Sequence, residues 1–221
     1  MMSEPQILEM SERFRPERTA LVLIDLQKDF CLEGYGTHRA GRDVTAAQRA
    51  ARGAARLLET ARTAGMAIAH VAFWTLPDHG SDSGPWLAQR RRSTFSSESL
   101  CLADSDGAAF IDEVAPRPGE LVVRKHRYSA FTGTNLDVLL RARRIQSVVL
   151  CGVSTNACVE STARAAFELD YYVCVPPDAT GSWDRTLHDA TLANVNHRLG
   201  VTLGADELVA LWGAGRPLGT S

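Results

Sequence analysis

The sequence predicts a three-layer α/β domain, with helices covering both faces of a parallel sheet. Three observations carry that prediction. Short apolar runs rich in β-branched residues alternate with longer stretches of helical period. The runs are apolar at nearly every position, as strands buried on both faces are, and lack the alternation of a sheet with one wet face. Polar residues with chemistry to offer, Asp25, Lys125 and Cys158, stand at or just after the ends of three runs, where ligands bind in open α/β sheets.

Thr19 to Ile24 reads as the first strand, closed by Asp25. From Val44 to Ala64, Val44, Ala47, Ala51, Ala54, Leu58 and Ala61 recur at helical spacing, and Gly65 ends the helix. Met66 to Trp74 is the second strand, and His70 within it reads as a hydrogen-bonded core histidine. Leu76 to Asp106, with Pro77, Gly80, Gly84, Pro85 and many serines, has no clear period and reads as an excursion on the substrate side. A short helix over Asp106 to Ala115 and a third strand from Glu120 to Lys125 follow. A helix capped at Thr134 then runs to Arg144, and Ser147 to Cys151 is the fourth strand. Tyr171 to Val175 makes a fifth strand and Asp184 to Leu199 a helix. The chain closes with a short strand near Val201 and a helix from Ala205.

The 221 residues, 45% hydrophobic and 23% charged, suit a single domain over residues 19–221. Residues 1–18 are polar, carry Glu4, Glu9, Glu12 and Glu17, and read as an N-terminal arm. With 24 basic and 26 acidic residues, and one basic cluster at Arg90–Arg91–Arg92 without interleaved aromatics, nucleic acid is not an expected partner. No run approaches the ~20 apolar residues of a membrane span, so neither export nor a membrane is expected.

Five cysteines make an odd count, without a CxxC pair or zinc spacing, which argues against a disulfide framework and for a reduced, cytoplasmic protein. Cys151 and Cys174 sit inside strands, and Cys31 and Cys101 in loop-like sequence. Cys158 differs. It falls in the first turn of a helix capped by Ser154 or Thr155, with Thr162, Ala165 and Leu169 on its face and Glu160, Arg164 and Glu168 as an i,i+4 ladder on the other. Unpaired N–H groups and the helix dipole favour a thiolate there. Asp25 could take the thiol proton, and Lys125 could stabilise charge. This setting predicts a Cys158 pKa below the free value of about 8.5.

Leu-Val-Leu-Ile-Asp25-Leu-Gln-Lys-Asp-Phe30, Arg124-Lys125-His-Arg-Tyr128-Ser-Ala-Phe131 and Gly152-Val-Ser-Thr-Asn-Ala-Cys158-Val-Glu-Ser-Thr162 resemble the three motifs of the isochorismatase-like cysteine hydrolases. The resemblance spans roughly Thr19 to Leu208. It implies a six-stranded parallel sheet of order 3-2-1-4-5-6 and an Asp25–Lys125–Cys158 triad. It also implies a non-proline cis peptide between Val153 and Ser154, and an oxyanion hole from the Ser154 and Cys158 N–H groups. Cys158 stands where true isochorismatases, which cleave a vinyl ether, carry a small residue. Nicotinamidase-like members bind a metal through an Asp-x-His and a further histidine, whereas this chain offers Asp78-His79 alone, so no metal is expected and His79 reads as a solvated loop residue.

The stretch from Cys158 through Phe167 to Thr180 is similar to the amidohydrolase branch, including ureidoacrylate amidohydrolases and biuret-type hydrolases. In relatives acting on N-carbamoylsarcosine, a carboxylate-binding arginine aligns with Trp183, two residues before Arg185. The expected enzyme is an amidohydrolase that cleaves a small linear amide, ureido or carbamoyl compound through a thioester. Two alternatives are an isochorismate-type ether hydrolase and a catalytically silent scaffold. Phe30, Trp74, Tyr128 and Phe131 are candidates to wall the substrate pocket. No cofactor is expected, and the chain is expected to work as a homo-oligomer, a dimer or a tetramer.

Overall fold

The computed structural model describes residues 7–92 and 99–213; parts of the arm, the excursion and the C-terminal segment named above lie outside them. Five strands lie side by side in parallel. They are β1 (Thr19–Ile24), β2 (Ala67–Phe73), β3 (Leu121–Lys125), β4 (Ser147–Val153) and β5 (Tyr172–Cys174), in the order β3-β2-β1-β4-β5. A sixth strand, β6 (Thr180–Gly181), pairs with the far end of β4 through Gly152 and Val153.

Side chains alternate across a strand, and β1 uses both directions for the core. Leu21 and Leu23 pack under the Thr45–Thr63 and Ala205–Gly213 helices, while Ala20, Val22 and Ile24 pack with Leu136, Leu140 and Ala163 from the opposite helical layer. That double burial gives three layers, as the near-continuous apolar runs predict. The end of the arm joins the first layer: Phe14 is buried there, and its carbonyl accepts the Trp212 Nε1–H at 3.1 Å.

The far edge departs from a simple sixth strand. Among the described residues only Val201 pairs beyond β5, through Val201 N–H to Val173 O and Val175 N–H to Val201 O, both at 3.0 Å. Pro176 and Pro177 carry no N–H and end β5; pairing along β4 resumes at Thr180. The helix expected over Asp106 to Ala115 is instead two 3-10 turns, Asp106–Ala108 and Asp112–Val114. Between them the chain is drawn out against the end of β1, by Lys28 N–H to Ala109 O at 2.9 Å and Ile111 N–H to Leu26 O at 3.1 Å. The helix expected from Thr134 to Arg144 spans Leu136–Ala142, with the Thr134 hydroxyl accepting the Leu136 N–H at 3.2 Å.

Register sets the rim. Phe73 on β2 pairs with Lys125, and Ile24 on β1 with Val71 and Gly152, so Asp25, Lys125 and the turn after β4 share one edge. Gly152 has φ +117°, and a Cβ there would lie 2.0 Å from the Ile24 carbonyl oxygen. Only glycine lets β4 leave the sheet this close to β1.

Candidate active site

Three buried groups converge at that edge. Asp25 follows β1 with φ 55°, a left-handed conformation that aspartate tolerates better than most residues, and its N–H donates to Val71 O at 2.9 Å. Lys125, the last residue of β3, sends its ammonium to three acceptors: Asp25 Oδ2 at 2.8 Å, Cys158 Sγ at 3.3 Å and Arg127 O at 3.1 Å. Asp25 Oδ1 has no hydrogen-bond partner among the described residues although it is buried.

Cys158 arrives on a turn looser than the predicted α-helical one. After a cis Val153–Ser154 peptide, Thr155–Val159 forms a π-helical turn that runs into the Glu160–Glu168 helix. The Ser154 carbonyl accepts from Ala157 N–H and Val159 N–H, both at 3.1 Å. The Ser154 side chain makes no cap; the buried Thr155 hydroxyl instead bonds His188 Nδ1 at 2.8 Å. Thr162 ties the next turn down, donating to Cys158 O at 2.7 Å and accepting from Ala130 N–H at 3.0 Å.

Burial decides the electrostatics. It pushes the Cys158 thiol upward, the Asp25 carboxylate adds to the push, and Lys125 offsets only part of it. The expected depression of this pKa is therefore corrected: a fully desolvated thiol beside a carboxylate is held in its neutral form. Burial also raises Asp25 against the pull of Lys125. For Lys125, burial works to lower the pKa, but Asp25 and Cys158 outweigh it and the ammonium is favoured.

The cluster opens into a cavity of about 370 Å³. Phe30 and Tyr128 line it, as do Ser154 and Cys158. Trp74 and Phe131 do not: the Arg124 guanidinium covers the Trp74 ring at 4.2 Å, and Phe131 stacks on Tyr171 at 5.8 Å. The excursion supplies one wall through Trp86, Gln89 and Leu100, with Trp86 4.7 Å from Tyr128 ring to ring. Asn156, Ser182, Trp183, Asp184 and Leu187 form another.

Sequence reading missed two braces beside Asp25. Gln27 spans the gap to the next strand, donating to Phe73 O at 2.9 Å and Ala108 O at 2.7 Å while accepting from Phe73 N–H at 2.8 Å. Asp29 accepts from Gly36 N–H at 3.0 Å and Cys101 N–H at 2.7 Å. The signal was an amide and a second carboxylate among the five residues after Asp25.

His70 lies in the core, 2.8 Å from Glu120 through Nε2, and burial lowers its pKa. His79, in the excursion, bonds Asp82 at 2.9 Å. Among the described residues no three His, Cys, Asp or Glu side chains converge as a metal site would require. All five cysteines are free and buried, and none of the described helices is long and apolar enough to cross a membrane.

A cluster of ionisable groups at the strand ends of a parallel sheet marks the protein as an α/β protein with a ligand site at that edge, and comparison with known proteins narrows the class. The isochorismatase domain model matches residues 19–207, and the chain belongs to the isochorismatase family of hydrolases. It is 35% identical over 176 residues to the ureidoacrylate amidohydrolase RutB of Agrobacterium fabrum, covering 75% of this chain and 77% of that one. N-carbamoylsarcosine amidase from Thermoplasma acidophilum superposes with a TM-score of 0.68 at 27% identity, over 86% of this chain and 97% of the other. A cysteine hydrolase from Pseudomonas syringae pv. phaseolicola shares the fold, with a TM-score of 0.80 at 22% identity over 97% and 100% of the two chains.

Proposed function

We propose that the chain is a cysteine amidohydrolase that cleaves a C–N bond of a small linear amide, ureido or carbamoyl compound, with Asp25, Lys125 and Cys158 as its triad. One observation carries the proposal: a single ammonium holds a thiol and one oxygen of a carboxylate at 3.3 and 2.8 Å, and leaves the other carboxylate oxygen without a partner. The relatives named as amidohydrolases support the same reading.

The thiol rests protonated. Asp25 Oδ1 accepts its proton as Sγ attacks the carbonyl carbon, so full thiolate never has to be stable in the buried site. The carbonyl oxygen takes up the electron pair as an oxyanion, which the Ser154 and Cys158 N–H groups stabilise in this reading. Its collapse breaks the C–N bond, Asp25 returns the proton to the departing nitrogen, and a thioester remains. Water then gives a proton to Asp25 and its hydroxide to the acyl carbon, and the sulfur leaves and recovers the proton. Lys125 stays charged throughout, aligning the carboxylate and the sulfur. No step needs a cofactor.

Ammonia release from a panel of biuret, ureidoacrylate, carbamoyl amino acids and simple amides tests the activity, and mass spectrometry of rapidly quenched enzyme tests the acyl adduct. Turnover with an adduct on the Cys158 peptide is expected. Turnover by Cys158→Ala would overturn thiol catalysis and favour an ether-hydrolase type of mechanism.

A further inference from the structure

The triad leaves the far side of the cavity unexplained, and its polar groups are ordered. The Ser182 hydroxyl accepts from Asp184 N–H at 3.2 Å and spends its only proton on Asn156 Oδ1 at 2.7 Å. That bond fixes the orientation of the Asn156 amide. Its oxygen is occupied, and its nitrogen, with two protons and no partner among the described residues, is the free end of a side chain lining the cavity. A donor in this place matches a carbonyl oxygen on the part of the substrate that does not react.

Charge sharpens the choice. Two carboxylates line the cavity, those of Asp25 and Asp184, and among the described residues no lysine, arginine or histidine does. The cations close by are occupied. Lys125 serves Asp25, Cys158 and Arg127 O; Arg127 donates to Ser81 O and His126 O and lies over the Trp86 ring at 5.0 Å; Arg90 is buried on Asp82 at 3.1 Å. Arg42, Arg49 and Arg185 line a separate cavity of about 590 Å³ that shares Ser182 and Trp183 as a wall. There Arg185 holds Asp189 at 2.8 Å. Lys125 balances the charge of Asp25, so a carboxylate bound beside Cys158 would be desolvated facing Asp184, which accepts the Leu187 N–H at 3.0 Å, and without a counterion of its own.

Resting on the amidohydrolase reading above, we propose that this cavity selects an uncharged linear amide or ureide over a carboxylate-bearing one, with the Asn156 amide nitrogen donating to the substrate's distal carbonyl oxygen. The preference should be about a hundredfold, the repulsion of two unit charges some 6 Å apart at an effective dielectric near 20.

Isosteric pairs differing in charge test it: malonamide against malonamate, and ureidoacetamide against ureidoacetate, each followed by ammonia release. The neutral member should have the higher kcat/KM in each pair by about a hundredfold. Asp184→Asn keeps a helix-capping side chain while removing one charge, and should bring that ratio most of the way to one. Asn156→Leu should lower kcat/KM for the neutral compounds by about tenfold or more, chiefly through KM. Carboxylates turned over as well as or better than their amides would overturn the selectivity and leave the amidohydrolase reading standing. An unchanged ratio in Asp184→Asn would overturn the electrostatic cause. Turnover of none of the four compounds, with ammonia still released from a member of the panel above, would overturn the selectivity and leave the amidohydrolase reading standing.

Discussion

Strand β3 has a carboxylate–cation cluster at each end, and the two are built in opposite ways. At its start Glu120 is saturated: Arg62 donates at 2.7 and 3.0 Å, the Arg117 N–H at 2.8 Å, and His70 meets it at 2.8 Å. Burial alone would raise Glu120, but these partners outweigh it and hold its pKa at about 2. At the strand's other end Asp25 has one oxygen on Lys125 and the other without a partner, and its pKa is raised. A carboxylate with donors on both oxygens is a brace. One buried completely is driven upward by desolvation, and the difference between them is depth of burial first and count of donors second.

The largest effect should come from the reactive end. Cys158→Ala is expected to reduce turnover to background with an unchanged thermal transition, because a small side chain leaves a site that is open to the cavity. Asp25→Asn comes next, lowering kcat by about 10²–10⁴ as loss of a general acid–base does. In the wild type, activity should fall with decreasing pH as Asp25 takes up a proton. The raised pKa puts that acid limb above the ordinary aspartate value of about 3.9, and an acid limb at or below that value would refute the assignment.

The saturated end should answer in stability. Glu120 has a folded pKa of about 2 against an ordinary value of 4.5, so its contribution is complete above about 4.5 and is lost as pH falls toward 2. Glu120→Gln should cost about 3 kcal/mol at neutral pH and flatten the acid side of the urea-unfolding profile, with kcat within about twofold of wild type. Asp25 carries the opposite sign, since its ionisation opposes folding and protonation relieves that cost. Alkylation of Cys158 by iodoacetamide, followed by mass spectrometry, should rise with an inflection above 8.5; an inflection below it would restore the thiolate picture. The smallest effect belongs to Cys151→Ala. That thiol is buried in the core seven positions before Cys158, and its loss should cost about 1 kcal/mol and leave kcat unchanged.

The layered fold was legible because β1, β2 and β4 are apolar at nearly every position, and period alone then separates strand from helix. The strand ends were legible too, so Asp25, Lys125 and Cys158 could be assigned to one rim; the Nζ distances of 2.8 and 3.3 Å are the structure's addition. Charge state was not legible. A first-turn cysteine suggests a thiolate, but the direction of its pKa depends on how completely neighbours exclude water, and no local pattern encodes that. Pocket walls fared unevenly for a related reason. Phe30 and Tyr128 line the cavity, whereas Trp74 is claimed by Arg124 and Phe131 by Tyr171, pairings between residues whose contact no spacing reveals. Trp86 and Gln89 lay in a stretch without period, where the sequence offers no face to read.

Those two residues have a consequence for how such an enzyme diversifies. The wall they form belongs to a segment outside the sheet, braced within itself by an Arg90–Asp82 pair and attached through ring contacts of Trp86 with Phe73 and Tyr128 and the Arg127 bond to Ser81 O. The reacting groups hang from strand ends whose positions the whole core enforces. Substitution in the segment can therefore remodel the cavity while the catalytic geometry is inherited unchanged. The excursion's wall can change by steps that leave the strand-end cluster folded and intact, whereas the opposite wall includes Asn156, which shares the Thr155–Val159 turn with Cys158.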